Sequence, residues 1–269
     1  MDFVINQRRM AADVDPAGSG VPCVLLHPFP LDRRYFAHVV PRLAGRARCI
    51  TPDARGFGGS ASEAPFSIAD LADDVAALLD ALKIERAVIG GVSMGGYAAL
   101  AFAARHPRRL LGLILADTRA GADSPEGRAK RDANIALVQR DGVDPFIDAQ
   151  VPHLVSSGAP EALRAEVRRI GRAQPPDAVV AALEALRDRP DRQGELPHIT
   201  CPTLVIVGTE DTVTPPSEAA AMATAIPRAV LVELPGVGHL GSLESPGPFA
   251  QAVGGFVGNI KAAAKSTAS

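Results

Sequence analysis

Hydrophobic positions along this chain come in two alternating patterns. Short, nearly unbroken apolar runs, PCVLLH (22–27), ARCITP (47–52), RAVIGGV (86–92), LLGLILAD (110–117), PTLVIVG (202–208) and AVLVELP (229–235), have the length and Val/Ile/Leu content of strands buried on both faces. Between them lie stretches in which apolar residues recur at helical spacing. After Ser67, SIAD reads as a capping Ser with an acid three residues on, and Leu71, Val75, Leu78, Leu79 and Leu82 then form one stripe. Strands alternating with helices predict a mostly parallel sheet with crossover helices. Two polar-alternating runs at 2–6 and 9–14 predict an N-terminal hairpin, followed by a turn-rich loop, DPAGSG (15–20).

The rhythm breaks once. From about Arg119 to Pro197 no strand-like run occurs, only helical segments separated by GVDP, SSGAP and QPPD. This predicts an α/β core of eight strands built from residues 1–118 and 198–269, with a helical cap, 119–197, inserted after the sixth strand. Charges in the cap are mixed in sign and read as solvated helix faces. The tail KAAAKSTAS is expected to fray.

Composition narrows the functional classes. With 28 Lys and Arg against 30 Asp and Glu in 269 residues, the formal charge is −2, which gives no field to attract nucleic acid or an anionic membrane. The uncharged run Ala87 to Ala104 approaches the length of a membrane span, but its four glycines and Ser93 make it a strand, a tight turn and a helix instead. Trp is absent and only two Tyr and nine Phe occur, so a pocket must be lined mainly by aliphatic side chains. Three cysteines without a CxxC pair, and no apolar leader, fit a reducing, cytoplasmic compartment. No His or Cys cluster has metal-ligand spacing, and no metal or other cofactor is expected. Oligomeric state is not legible.

The chemistry concentrates in loops after the strand runs. Gly91-Val92-Ser93-Met94-Gly95 stands where a buried strand gives way to an Ala-rich helix, a context that lifts a serine hydroxyl above the sheet edge as a nucleophile. Serine needs a base and an acid that orients it. Asp211, in GTEDTVTP after PTLVIVG, and His239, in GVGHL after AVLVELP, follow in the order Ser, Asp, His. Loops after the carboxyl ends of parallel strands gather at one edge, so the long separations do not prevent contact. Glu210 and Asp117 rival Asp211 as the acid. A developing oxyanion needs two N–H donors, which Met94, after the nucleophile, and Phe29, in His27-Pro28-Phe29-Pro30, can supply. Either X-Pro bond of that loop could be cis.

These motifs resemble those of the α/β-hydrolases: HPFP for the family's oxyanion loop, DARGFGGS (53–60) for its Asp-x-Arg-Gly-x-Gly-x-Ser loop, GVSMGG for the nucleophile elbow, GTEDTVTP for the acid loop and GVGHL for the histidine loop. Size and order are most similar to small bacterial 3-oxoadipate enol-lactonases, cofactor-free haloperoxidases or perhydrolases, and carboxylesterases. The chain departs from the pattern in having Pro28 where the family usually has Gly, and in lacking Trp. The resemblance implies the α/β-hydrolase fold and a small-molecule ester or lactone substrate, with no nucleic-acid or membrane partner.

The expected activity is hydrolysis of a small, mostly apolar ester or lactone through an acyl-serine. The scaffold also leaves open hydrolysis of an anionic lactone, perhydrolase or haloperoxidase chemistry, carbon–carbon bond hydrolysis, and a non-enzymatic ligand sensor. Phe146, the single aromatic residue of the cap, is a candidate pocket wall. Arg119, at the mouth of the cap, could recognise a carboxylate, although pairing with a neighbouring acid is the favoured reading. Asp53 and Arg55 are expected to fix their loop.

Overall fold

The computed structural model describes residues 1–15, 20–62 and 65–266, with side chains described up to 262. Residues 16–19, within the expected turn-rich loop, therefore lie outside the described residues. Eight strands, β1 (Asp2–Ile5), β2 (Arg8–Val14), β3 (Val21–Leu26), β4 (Ala47–Pro52), β5 (Ala87–Val92), β6 (Leu110–Ala116), β7 (Thr203–Gly208) and β8 (Ala229–Leu234), form one sheet in the order β1-β2-β4-β3-β5-β6-β7-β8. The hairpin closes through Asn6 and Gln7, both at positive φ, as a two-residue turn matching strand twist requires. β2 runs antiparallel to β1 and β4, and every pair from β4 through β8 is parallel. This is the expected α/β-hydrolase sheet.

Burial explains why the apolar runs were legible. Every residue of β5 and of β7 is buried, because central parallel strands are covered on both faces, whereas β8 at the edge is only partly covered. The helices are α1 (Ile68–Ala81), α2 (Met94–Arg105), α3 (Pro125–Asp141), α4 (Val143–Leu154), α5 (Glu161–Arg172), α6 (Pro176–Arg187), α7 (Pro216–Ala225), α8 (Gly241–Glu244) and α9 (Pro246–Ser266). α1 begins where SIAD places it: the Asp70 N–H donates to Ser67 Oγ at 3.2 Å, and the Ser67 N–H donates back to the Asp70 carboxylate at 2.7 Å. In the tail expected to fray, α9 continues through Lys261 to Ser266, because Ala and Lys are strong helix formers and extend a helix already anchored on the sheet; residues 267–269 lie outside the described residues.

Four helices, α3 to α6, lie between β6 and β7, where no strand was expected. No helix among the described residues is long and apolar enough to cross a membrane. Strand order reverses between β3 and β5, which are neighbours although the chain runs through β4 between them. The loops that follow β3 and β5 therefore diverge, and they open a crevice at the carboxyl edge of the sheet.

Candidate active site

Two kinds of construction meet at this edge. The first is made of backbone. Ser93 connects β5 to α2 with φ 52° and ψ −113°, a conformation that costs a non-glycine residue strain and persists only where the surroundings enforce it. They do: the Ser93 N–H donates to the Ala116 carbonyl at 3.0 Å, and Thr118 Oγ1 donates to the Ser93 carbonyl at 2.9 Å. Glycine is required on either side. A Cβ on Gly91 would lie 2.0 Å from the Gly95 carbonyl, and one on Gly95 would lie 2.1 Å from the Leu26 oxygen. The Ser93 hydroxyl is not spent as a cap for α2, and the Met94 N–H, in the first turn of that helix, has no intrahelical acceptor.

Phe29 follows β3 in the facing loop, and the Phe29–Pro30 bond is the cis one. His27 stiffens this loop. Its Nε2 accepts the Ala54 N–H at 2.9 Å, which puts the ring proton on Nδ1, where it donates to the Pro28 carbonyl at 3.0 Å. Ala54 belongs to the DARGFGG loop, itself fixed by Asp53 accepting the Arg33 and Gly59 amides at 2.8 and 2.7 Å. Arg55 is paired with Asp74 at 2.6 Å.

The second construction is made of side chains. His239 Nδ1 lies 2.7 Å from Asp211 Oδ2, and both residues are buried. Asp211 also accepts the Val213 and Thr214 amides on Oδ1, at 2.8 and 3.0 Å, and the Thr214 hydroxyl on Oδ2 at 2.7 Å. Burial alone would raise the Asp211 carboxyl. The charge of His239 and the hydrogen bonds from His239 and Thr214 outweigh it and hold the group below its ordinary value. With Nδ1 directed at a carboxylate, Nε2 is the nitrogen left to exchange a proton.

Asp117, the rival acid, takes another part. It sits after β6 at φ 43°, fully buried, with Oδ1 accepting the Gly208 amide at 2.9 Å and Oδ2 against Gly241 without a hydrogen-bond partner among the described residues. Burial, then the charge of Asp211, pushes its carboxyl well above the ordinary range, against the pull of the Gly208 and Gly241 amides. Asp117 thereby connects the segments: Thr118 beside it holds Ser93, its carboxylate holds the end of β7, and Gly241 lies two residues beyond His239.

Phe146 is fully buried in α4, its ring 5.9 Å from that of Phe29, which in turn meets Phe57 at 6.2 Å. It packs α4 onto the Phe29 loop and exposes no wall of its own. Arg119 pairs with Asp123 at 2.5 Å. Glu210 lies on the surface near Ser157.

Three positioning residues escaped sequence reasoning. Thr214 had a local signal, a hydroxyl three residues after an acid at a strand end. Gln174 had none: its amide donates to Asp32 at 2.8 Å and accepts the Gly58 N–H at 2.9 Å, tying the α5–α6 turn to the loops that follow β3 and β4. Glu244 bridges the opposite side, accepting the Gly238 amide beside His239 at 3.0 Å and the Ser156 amide after α4 at 2.9 Å.

The model of a family described as alpha/beta hydrolase fold matches residues 21–246. A putative carbamate hydrolase, RutD, of Caulobacter sp. (strain K31) is 32% identical over 83% of this chain and 85% of its own. Among solved structures, a thermophilic esterase from Thermogutta terrifontis, described with malate bound, superposes with a TM-score of 0.92 at 35% identity, covering 97% of this chain and 98% of its own. The enol-lactonase from Burkholderia xenovorans LB400 has a TM-score of 0.89 at 30% identity, over 96% and 99% of the two chains.

Proposed function

The chain belongs to the alpha/beta hydrolase fold family, and from that premise we propose that it is a serine hydrolase of small, mostly apolar carboxylic esters or lactones, acting through an acyl-serine intermediate. The observation that carries this reading is the buried Asp211–His239 pair at 2.7 Å on the sheet edge where Ser93 occupies a strained strand-to-helix turn.

In the first half-reaction, Ser93 Oγ attacks the carbonyl carbon while His239 Nε2 takes its proton. Asp211 keeps the imidazole proton on Nδ1 and stabilises the imidazolium. The oxyanion is held by the N–H groups of Phe29 and Met94. Collapse expels the alkoxide, which leaves with the proton from His239. Water, deprotonated by the same nitrogen, then cleaves the acyl-serine and frees the acid. Residues 119–197 act as a cap over the 1–118 and 198–269 core, seated by Phe146, Gln174 and Glu244. Two of the similar proteins, an esterase and an enol-lactonase, are consistent with an ester or lactone substrate. The mixed charge and the unpaired cysteines fit a cytoplasmic enzyme.

Turnover of p-nitrophenyl esters from acetate to hexanoate tests the reading. Activity should rise over the first carbons, each buried methylene contributing about 0.8 kcal/mol, and fall when the chain meets the cap. Ser93→Ala and His239→Ala should each reduce kcat by a factor on the order of 10⁶, with no further loss in the double variant, because the two act as one unit. Full activity in Ser93→Ala would remove the acyl-serine, and absence of turnover across the series would favour the ligand sensor.

A further inference from the structure

A second polar concavity opens beside the acid loop. It is a cleft of about 210 Å³ between α3, α4 and the residues after Asp211, and its lining includes Tyr97, one turn beyond Ser93 on α2, and Thr212. Its electrostatics are unbalanced. Arg119, Arg131 and Arg189 converge on the single carboxylate of Asp123, at 2.5, 3.1 and 2.8 Å, and the ammonium of Lys130 lines the same cleft. Among the lining residues three cations, Arg119, Lys130 and Arg131, are set against the one carboxylate of Asp123, and Glu218 acts on Arg119 through space from outside the lining. Arg131 and Arg189 offset the burial of Asp123 and hold its carboxyl below the ordinary value, so it stays ionised and cannot itself donate to an anion.

Donors are also in surplus. Each guanidinium carries five N–H groups, whereas one carboxylate offers about four acceptor sites. Arg189 spends its forks on the carbonyls of Leu186 and Gly121 and lies over the Tyr97 ring at 4.3 Å, so it is buried behind the lining. The donors that the cleft itself offers are therefore those of Arg119, Arg131 and Lys130, which line it. Guanidinium and ammonium groups that outnumber the carboxylates facing them favour an anion, and a guanidinium fork favours a planar one.

The geometry points to this cleft as a binding site for the carboxylate of a small organic acid. Two sources share that chemistry: the far end of a substrate attacked by Ser93, or a separate acid that settles beside the acid loop. The site itself does not depend on catalysis, but the first source rests on the ester-hydrolase reading.

Titration calorimetry with succinate, and with uncharged succinamide as its control, tests the site. Wild type should bind succinate and not succinamide, with affinity falling as NaCl is added. Lys130→Met/Arg131→Met, on the outer part of α3, should weaken succinate tenfold or more; Lys130→Met alone, at an exposed position, serves if the double variant does not fold. Equal succinate affinity in wild type and variant, or equal binding of succinamide, would overturn the site. Kinetics separate the sources. If the carboxylate belongs to substrate, the double variant loses at least tenfold in kcat/KM for monoethyl succinate while ethyl butyrate is unchanged, and succinate competes with monoethyl succinate. If it belongs to a separate acid, succinate alters ethyl butyrate turnover without competing. Turnover surviving in Ser93→Ala would sink the hydrolase reading and leave the calorimetric result standing.

Discussion

Asp117 and Asp211 stand at the carboxyl ends of neighbouring strands, both buried, and their surroundings drive them in opposite directions. Asp211 is met by four donors: two amides, a hydroxyl and an imidazole. Asp117 accepts a hydrogen bond from one amide, that of Gly208, while the Gly241 amide acts on its second oxygen, which has no hydrogen-bond partner among the described residues. Burial works to raise both carboxyls: at Asp211 the charge of His239 and the hydrogen bonds from His239 and Thr214 outweigh it and hold the group below its ordinary value, whereas at Asp117 burial and the charge of Asp211 outweigh the amides and drive it well above. The two are also coupled, because the charge of Asp211 helps to keep Asp117 protonated. A protonated Asp117 in turn spares Asp211 a like charge beside it. A strand-end acid thus keeps its charge through the groups that surround it, and its place in the topology does not suffice.

The sharpest way to break this contrast is the same substitution at both positions. Asp211→Asn keeps the shape but removes the charge that fixes the histidine tautomer, and kcat on a p-nitrophenyl ester should drop by a factor on the order of 10⁴. Asp117→Asn should stay within a few-fold of wild type. The reverse pattern would make Asp117 the catalytic acid.

A smaller effect is expected from the donors themselves. Thr214→Val removes the hydroxyl that donates to Asp211 Oδ2 while keeping the amide that donates to Oδ1. A hydrogen bond to a charged group contributes about 1.5 to 3 kcal/mol, so kcat should fall roughly tenfold to a hundredfold, with KM nearly unchanged. An unchanged kcat would mean that the amides and His239 suffice to hold the carboxylate.

The contrast also marks how far the sequence could be read. The sheet was legible because strands covered on both faces, such as β5 and β7, leave unbroken apolar runs, and because Gly91 and Gly95 announce a turn whose backbone admits no side chain. Ser93, Asp211 and His239 were legible as strand-end residues in a suitable order. Asp117 met the same criterion and could only be ranked, since what separates it from Asp211 is hydrogen-bond donors gathered by folding. Those of Asp211 from Val213 and Thr214 are local and lay within reach. The unpaired Oδ2 of Asp117 against Gly241, the Gln174 bridge to Asp32 and the Glu244 bridge to Ser156 join segments far apart in the chain, and no local pattern encodes them.

The smallest effect is one of stability, and it tests the protonation of Asp117 directly. A carboxyl raised in the folded state contributes stability that is complete below its unfolded value, about 3.9, and is lost as pH rises through the folded one. Asn cannot ionise, tolerates the positive φ of this position, and keeps an oxygen for the Gly208 amide. The Tm of Asp117→Asn should therefore match wild type near pH 4 and exceed it by a margin that widens toward neutral pH. Asp211→Asn should behave in the opposite sense, because a lowered carboxyl contributes stability above about pH 4 that is lost as pH falls through its folded value, so wild type's advantage over it should shrink on acidification. Scanning calorimetry on the three proteins from pH 4 to 8 separates the two slopes. A margin for Asp117→Asn that does not change with pH would mean that this carboxyl titrates alike in the folded and unfolded chain. The unpaired Oδ2 would then be no source of strain, and the division of labour between the two acids would rest on Asp211 alone.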